Sequence, residues 1–216
     1  SIINSSLPID RPDATFGTYK EARLKMVWKL LRRLLFRFDP EATHHLMGFM
    51  VRILVGVSRL LRLPKPIRPL RIISGVNPND SIPIQVSGLQ FSGPVGLAAG
   101  FDKTGEWLAS LPDLGFDFVE IGTVTPRPQS GNPRPRIYRD PAAEALFNRM
   151  GFNSLGAELT RRQLEVQRGH LPASFRVGIN IGKNRTTPAA EAYADYQEAA
   201  RQLAPLADFM VINVSS

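Results

Sequence analysis

Val177-Gly-Ile-Asn-Ile-Gly-Lys-Asn184 is an apolar run that stops abruptly in glycine and polar residues. Val177–Ile181 suits a buried strand, and the Gly-Lys-Asn that follows suits a turn at its carboxyl end. The same pattern recurs on both sides. Val95–Ala99 runs into Gly100-Phe-Asp-Lys103, Phe118–Thr123 ends in Gly-Thr, and Phe209–Val214 runs into Ser215-Ser216. Helices are expected between these strands, near Glu106–Leu111, from about Leu155 to Arg168, and over Ala189–Leu206. Ile84–Val86 and Leu89–Phe91 flank Ser87-Gly88 and predict a short hairpin ahead of them. A Pro/Arg/Asn-rich stretch fills 124–153. Continuous apolar strands alternating with helices predict a parallel α/β sheet.

In parallel α/β folds, ligands sit at the carboxyl ends of the strands. Here four successive strands end in small or polar residues. Glycine lets backbone approach a ligand, and asparagine offers both a donor and an acceptor to a flat heterocycle with carbonyl and N–H edges. Lys103 suits an anion or an electron-rich ring edge. One Gly-Asn turn is usually only a turn; four in a row predict a barrel with its site at the top. No Gly-x-Gly-x-x-Gly follows a strand and no P-loop is present, so neither a dinucleotide fingerprint nor a triphosphate site is supported.

The chain has 216 residues, a net charge of +8 and no cysteine. The absence of cysteine excludes disulfides, thiolate-bound metals and a cysteine nucleophile. No metal site is expected. No apolar run approaches the ~18 residues needed to cross a bilayer. The charge is uneven: residues 1–80 hold 14 Lys/Arg against 6 Asp/Glu, and the remainder balances. Residues 1–19 read as a flexible arm. Residues 20–66 read as an amphipathic helical hairpin. Leu24, Val27, Trp28, Leu31, Leu34, Leu35 and Phe38 form one apolar stripe. Leu46, Phe49, Met50, Ile53, Leu54, Val57, Leu60 and Leu61 form a second, with Arg52, Arg59 and Arg62 opposite. Asp39-Pro40 divides the helices, as a cap followed by a proline in the first turn. Pro64, Pro66 and Pro69 make a stiff linker to the module 67–216. Such a hairpin either packs on its neighbour with its charges solvated or lies on an anionic membrane surface. Nucleic acid is disfavoured, because the basic residues alternate with a greasy stripe and no nucleic-acid-binding motif appears.

Six ordered stretches carry a family likeness. They are Leu97-Ala-Ala-Gly-Phe-Asp-Lys103, Glu120-Ile-Gly-Thr-Val-Thr-Pro-Arg-Pro-Gln129, Gly131-Asn-Pro-Arg-Pro-Arg136, Asn148-Arg-Met-Gly-Phe-Asn153, Gly178-Ile-Asn-Ile-Gly-Lys-Asn184 and Val211-Ile-Asn-Val-Ser-Ser216. Together with Asp39-Pro-Glu-Ala-Thr-His44, they resemble the class 2, membrane-associated, quinone-dependent dihydroorotate dehydrogenases over roughly residues 24–216.

The resemblance implies an FMN-bearing (β/α)8 TIM barrel that oxidises dihydroorotate to orotate in pyrimidine biosynthesis. It implies Ala99, Gly100, Lys103, Thr123, Asn180 and Asn213 around the flavin. Lys103, Asn148, Arg149, Met150, Gly151, Phe152 and Asn213 are implied around the pyrimidine. Ser216 falls at the catalytic base, where the soluble class 1 relatives use cysteine. His44 and Arg139 fall at the pocket for a ubiquinone-type quinone. The implied setting is peripheral, on the bacterial inner membrane or the mitochondrial inner membrane. A closed (β/α)8 barrel takes about 250 residues; the chain holds the first four strands, so either a companion chain supplies the second half or the sequence is a fragment. The alternative reading is a membrane-surface binding module with an inactive partial barrel.

Overall fold

A computed structural model describes residue 26, residues 29–61 and residues 82–215. The expected arm 1–19, the first part of the first helix, the proline linker after residue 61, and Ser216 lie outside the described residues. The chain divides into two compact units, residues 1–43 and 44–216.

In the first unit, residues 29–35 are helical (α1). The second helix, α2, is Pro40–Leu60 and crosses into the second unit. Its start is the expected one: Asp39 Oδ1 accepts the Ala42 N–H at 2.8 Å, and Pro40 opens the first turn.

The second unit is built on four parallel strands: β3 Gly96–Leu97, β4 Phe118–Val124, β7 Arg176–Ile181 and β8 Phe209–Ile212. They pair in the order β3-β4-β7-β8, so each parallel strand lies beside the next in the chain. Helices α4 (Ala157–Arg168) and α5 (Ala192–Leu203) make the crossovers. Val119 and Ile121 of β4 and Val177, Ile179 and Ile181 of β7 point toward these helices. They pack on Ala157, Leu164, Ala199 and Leu203. The four strands are parallel as expected, and β7 is buried from Val177 to Ile181. The opposite face carries Glu120, Gly122, Gly178 and Asn180, because successive side chains change face.

At the amino ends of the strands this opposite face is aromatic. Phe118 pairs in register with Gly96, and Phe209 with Gly178. An added methyl at Gly96 would stand 2.1 Å from the Phe118 ring, and one at Gly178 would stand 2.2 Å from Phe209. Each ring therefore lies over the glycine beside it. The expected hairpin, β1 Ile84–Val86 with β2 Leu89–Phe91, brings Phe91 onto this floor. Its ring is 5.0 Å from Phe118 and 6.2 Å from Phe209.

Three local expectations change. First, β3 is only Gly96–Leu97, and the helix expected near Glu106–Leu111 begins two residues late, as a 3-10 turn at Leu108–Ser110. The Asp102 carboxylate accepts the backbone N–H groups of Thr104, Gly105, Glu106 and Trp107, bending this segment into a turn. The 3-10 turn then runs into a short helix, α3 (Leu111–Leu114), with Pro112 in its first turn and left-handed Gly115 at its end. Second, the stretch 124–153 contains an antiparallel hairpin, β5 Ile137–Asp140 with β6 Ala145–Asn148. Asp140 Oδ1 closes its turn by accepting the N–H groups of Ala142 and Ala143, both at 3.0 Å.

Third, α2 meets the core through the side away from its broad apolar stripe. Met47 and Val51 pack against the core, and a methyl on Gly48 would meet the Trp107 ring at 2.5 Å. Arg52 pairs with Glu106. The broad stripe of Leu46, Phe49, Met50, Ile53, Leu54, Val57 and Leu60 is exposed. Among the described residues, α2 thus docks through Met47, Gly48, Val51 and Arg52 and leaves its apolar stripe exposed, which departs from the reading in which the stripe packs on the neighbouring module.

Candidate active site

Strands β4, β7 and β8 deliver one hydrogen-bonded side-chain series at their carboxyl ends. Glu120 Oε1 accepts from Asn180 Nδ2 at 2.7 Å, which turns the Asn180 carbonyl toward Thr123. Thr123 Oγ1 donates to that carbonyl oxygen at 2.6 Å. The same hydroxyl then accepts from Asn213 Nδ2 at 3.0 Å. Asn213 Oδ1 accepts from the N–H and the Oγ of Ser215, at 3.0 and 2.6 Å. Each amide is thereby held in one orientation: reversing Asn180 would set its carbonyl oxygen against the Glu120 carboxylate, and reversing Asn213 would set its NH2 against the Ser215 N–H. Thr123 and Asn180 are buried, whereas Asn213 is half-buried.

The turn after β3 closes over the same strand ends. Gly100 N–H donates to the Gly122 carbonyl at 2.8 Å, and Gly122 N–H donates to the Asp102 carbonyl at 3.1 Å. Gly100 has φ +102, and a methyl there would meet nothing within 4 Å, so this backbone borders open space. Ala99 is half-buried beside it. Lys103 Nζ donates to Asn153 Oδ1 at 3.0 Å, tying this turn to the 148–153 segment.

That segment is itself pinned. Asn132 N–H donates to the Met150 carbonyl at 3.0 Å, and Gln129 Nε2 donates to the Phe152 carbonyl at 2.8 Å. Gly151 and Phe152 both take positive φ, at +68 and +49. A methyl on Gly182 would stand 2.8 Å from Thr123 Cγ2 and 3.1 Å from Phe152 Cε2, so both side chains close over Gly182. Met150–Asn153 therefore comes to the strand ends with Lys103. Asn148 and Arg149 stay on the exposed hairpin side, where the Arg149 guanidinium lies 6.0 Å from the Tyr138 ring centroid.

Of the two expected pocket residues, His44 lies on α2 against Phe101 and Trp107, with ring centroids 4.6 and 5.2 Å away. Arg139 lies on β5, paired in register with Leu146. Sequence reading passed over Glu120, Gln129, Asn153 and Asp102. Glu120 carried a signal: a carboxylate between Val119 and Ile121 in a buried strand needs a partner.

Asp102 is buried, and desolvation pushes its carboxyl from 3.8 up to about 6, against the lowering effect of its backbone N–H bonds. The folded chain then binds this proton more tightly than the unfolded chain. Stability from Asp102 is full below pH 3.8 and declines as pH rises through about 6. Asp102→Asn is expected to flatten that decline. It should also lower stability by ~1–3 kcal/mol, because its amide turns a donor toward a backbone N–H. Thermal unfolding followed from pH 4 to 7 would read both effects; an unchanged pH profile would remove Asp102 from the account.

The arrangement suits a flat, carbonyl-bearing ligand: oriented amides and a hydroxyl, open backbone at Gly100, and an ammonium at the rim. The sequence model of the dihydroorotate dehydrogenase family matches residues 81–216. A "Dihydroorotate dehydrogenase (quinone)" of Halorhodospira halophila is 47% identical over 191 residues, which is 88% of this chain and 51% of that protein. The Methylococcus capsulatus protein of the same name is 48% identical over 189 residues, 87% of this chain and 50% of that protein. Two Eimeria tenella dihydroorotate dehydrogenase structures are also similar. The ligand-free one has TM-score 0.57 and 43% identity over 63% of this chain and 39% of that one. The ferulenol complex has TM-score 0.58 and 36% identity over 71% of this chain and 45% of that one. The chain spans about half the length of the curated relatives it matches. With its strand-end site on an α/β fold and these relatives, the chain belongs to the dihydroorotate dehydrogenase family, among its class 2, quinone-dependent members.

Proposed function

We propose that the chain is part of an FMN-dependent dihydroorotate:quinone oxidoreductase whose four parallel strands are half of a (β/α)8 barrel. The observation that carries this is the oriented series Glu120–Asn180–Thr123–Asn213, with Lys103 and Met150–Asn153 brought to the same strand ends. These residues fit FMN: fixed amides match a ring with carbonyl and N–H edges, and the open backbone at Gly100 leaves room for close approach. Ala99, Gly100, Lys103, Thr123, Asn180 and Asn213 would hold it. When bound, FMN supplies a hydride acceptor.

The chain's own residues supply the rest. Phe152 and Gly151 cover the pyrimidine and keep water from it. Asn213 Nδ2 and Lys103 Nζ orient its carbonyl edge. Ser216 Oγ takes the acidic proton beside the carbonyl. Serine is a weak base, so this proton passes onward to water as it is removed. His44 and Arg139 face the quinone, and the bare apolar stripe of α2 rests on a membrane surface. No described helix is long and apolar enough to cross a membrane.

The test uses the whole protein. Anaerobic dihydroorotate should bleach its flavin absorbance, and an unbleached flavin would end this reading. Deleting residues 1–66 should leave the bleaching largely intact while reoxidation by long-tailed quinones fails and small soluble acceptors still work. Equal rates with long-tailed quinones before and after deletion would reduce α2 to a packing element.

A further inference from the structure

A cleft of about 200 Å³ opens beside Phe152 and is lined by Gln129, Asn132, Gly151, Phe152, Lys183 and Arg185. Its two ionisable lining residues, Lys183 and Arg185, are both cations, and the bonds they make share one character. Lys183 Nζ donates to the carbonyls of Thr187 and Asn184, at 3.1 and 3.4 Å. Arg185 Nη1 donates to Asn132 Oδ1 at 3.1 Å. Arg149, two residues before Gly151, donates from Nη2 to the Pro135 carbonyl at 3.2 Å and to the Tyr138 hydroxyl at 3.4 Å. Among the described residues no carboxylate pairs with any of these three cations. Arg127 differs: Asp195 lies 3.3 Å from its Nη1. Neutral oxygens thus position Lys183, Arg185 and Arg149 while leaving their charge in place.

The cleft is also rigid and joined to the strand-end site. Asn132 Nδ2 donates to the Arg149 carbonyl at 2.7 Å, and a methyl on Gly151 would meet Asn132 Cγ at 2.8 Å. Gln129 Oε1 accepts from Asn184 Nδ2 and from Arg185 N–H, both at 3.0 Å, while its Nε2 holds the Phe152 carbonyl. The walls that fix the cations are therefore the walls that fix Phe152 over Thr123 and Gly182.

We infer that this cleft is a capture site for the carboxylate of the incoming pyrimidine, which meets Lys183 and Arg185 before passing under Phe152. The inference rests on the reaction proposed above, whose substrate and product are both carboxylates ionised at neutral pH. A concave surface of one sign focuses its field and raises the local concentration of the opposite ion.

The test compares whole, flavin-loaded proteins. A Lys183→Gln/Arg185→Gln double variant is set against wild type and against the charge-preserving Lys183→Arg and Arg185→Lys. Orotate association and dissociation are followed through flavin absorbance across a salt series. Wild type and the charge-preserving variants should lose about tenfold in association rate as salt rises. The neutral variant should already be about tenfold slower at low salt and nearly insensitive to salt, with dissociation changed less than association. Equal salt slopes in wild type and the neutral variant, or a loss carried by dissociation alone, would overturn the capture site. Failure of the reaction itself is separate: it shows as no bleaching by dihydroorotate in wild type. Calorimetric orotate binding over the same salt series then still judges the cleft, and the absence of a salt-dependent difference between the variants rejects it.

Discussion

Gly122→Ala is expected to lower stability by about 3 kcal/mol or more and to strip flavin from the protein. Gly122 sits at φ +117, where an L side chain is strained. Its added methyl would also stand 2.4 Å from the Asn180 carbonyl oxygen and 2.9 Å from the Val124 nitrogen. Both are backbone atoms of paired strands and cannot rotate aside. The strand ends must separate, and with them Thr123 and Asn180, whose 2.6 Å bond spans the same gap. Against a total stability of only ~5–15 kcal/mol, such a loss should show as a large drop in the urea midpoint. Gly100→Ala is the contrast. It has a similar φ of +102 but nothing within 4 Å, so only backbone strain of about 1–2 kcal/mol is expected. Equal midpoints for the two variants would show that the close approach at Gly122 is not what holds the strand ends.

Ser216→Ala in a complete enzyme is expected to slow flavin reduction by dihydroorotate by at least ~10²-fold, the usual scale for losing a general base. Flavin content should stay the same, because the oriented series ends on Ser215: its N–H and Oγ are what bind Asn213. Ser216→Cys should recover part of the rate and move its pH dependence downward, since a thiol ionises near ~8.5 and a hydroxyl does not. Anaerobic stopped-flow reduction across pH reads both variants. A wild-type rate in Ser216→Ala would take this hydroxyl out of the mechanism.

Much of the site could be read from residue types because it lies where strands stop. Thr123 and Asn180 are next to last in their strands and Asn213 follows its own, and a polar side chain at such a place has few uses other than a ligand or a turn. The Asp39-Pro40 cap and the Ser87-Gly88 hairpin were equally local, each decided by residues in direct sequence. What escaped depends on distant partners. The Asp102 turn delays the expected helix to Leu108 because one carboxylate takes four backbone donors, and a 3.6-residue period cannot report that competition. The β5–β6 hairpin was hidden by the prolines around it. The facing of α2 stayed open between packing and a membrane surface because an apolar stripe serves either; the contact with the core is made by Gly48 under Trp107 and by the Arg52–Glu106 pair. Glu120 and Gln129 are ordinary polar residues until the partners at 180, 152 and 184 are known.

The aromatic floor of Phe91, Phe118 and Phe209 divides each strand into two tiers with different tolerances. At the amino ends, rings fill the space above Gly96 and Gly178, so a change there alters how firmly the sheet holds together and leaves the amides at the other end where they are. At the carboxyl ends, a change alters what the surface can bind. Height along a strand therefore sorts the consequences of substitution, and the two properties can drift independently in related sequences. A lineage can adapt its thermal tolerance through the lower rings while its chemistry stays constant a few residues away.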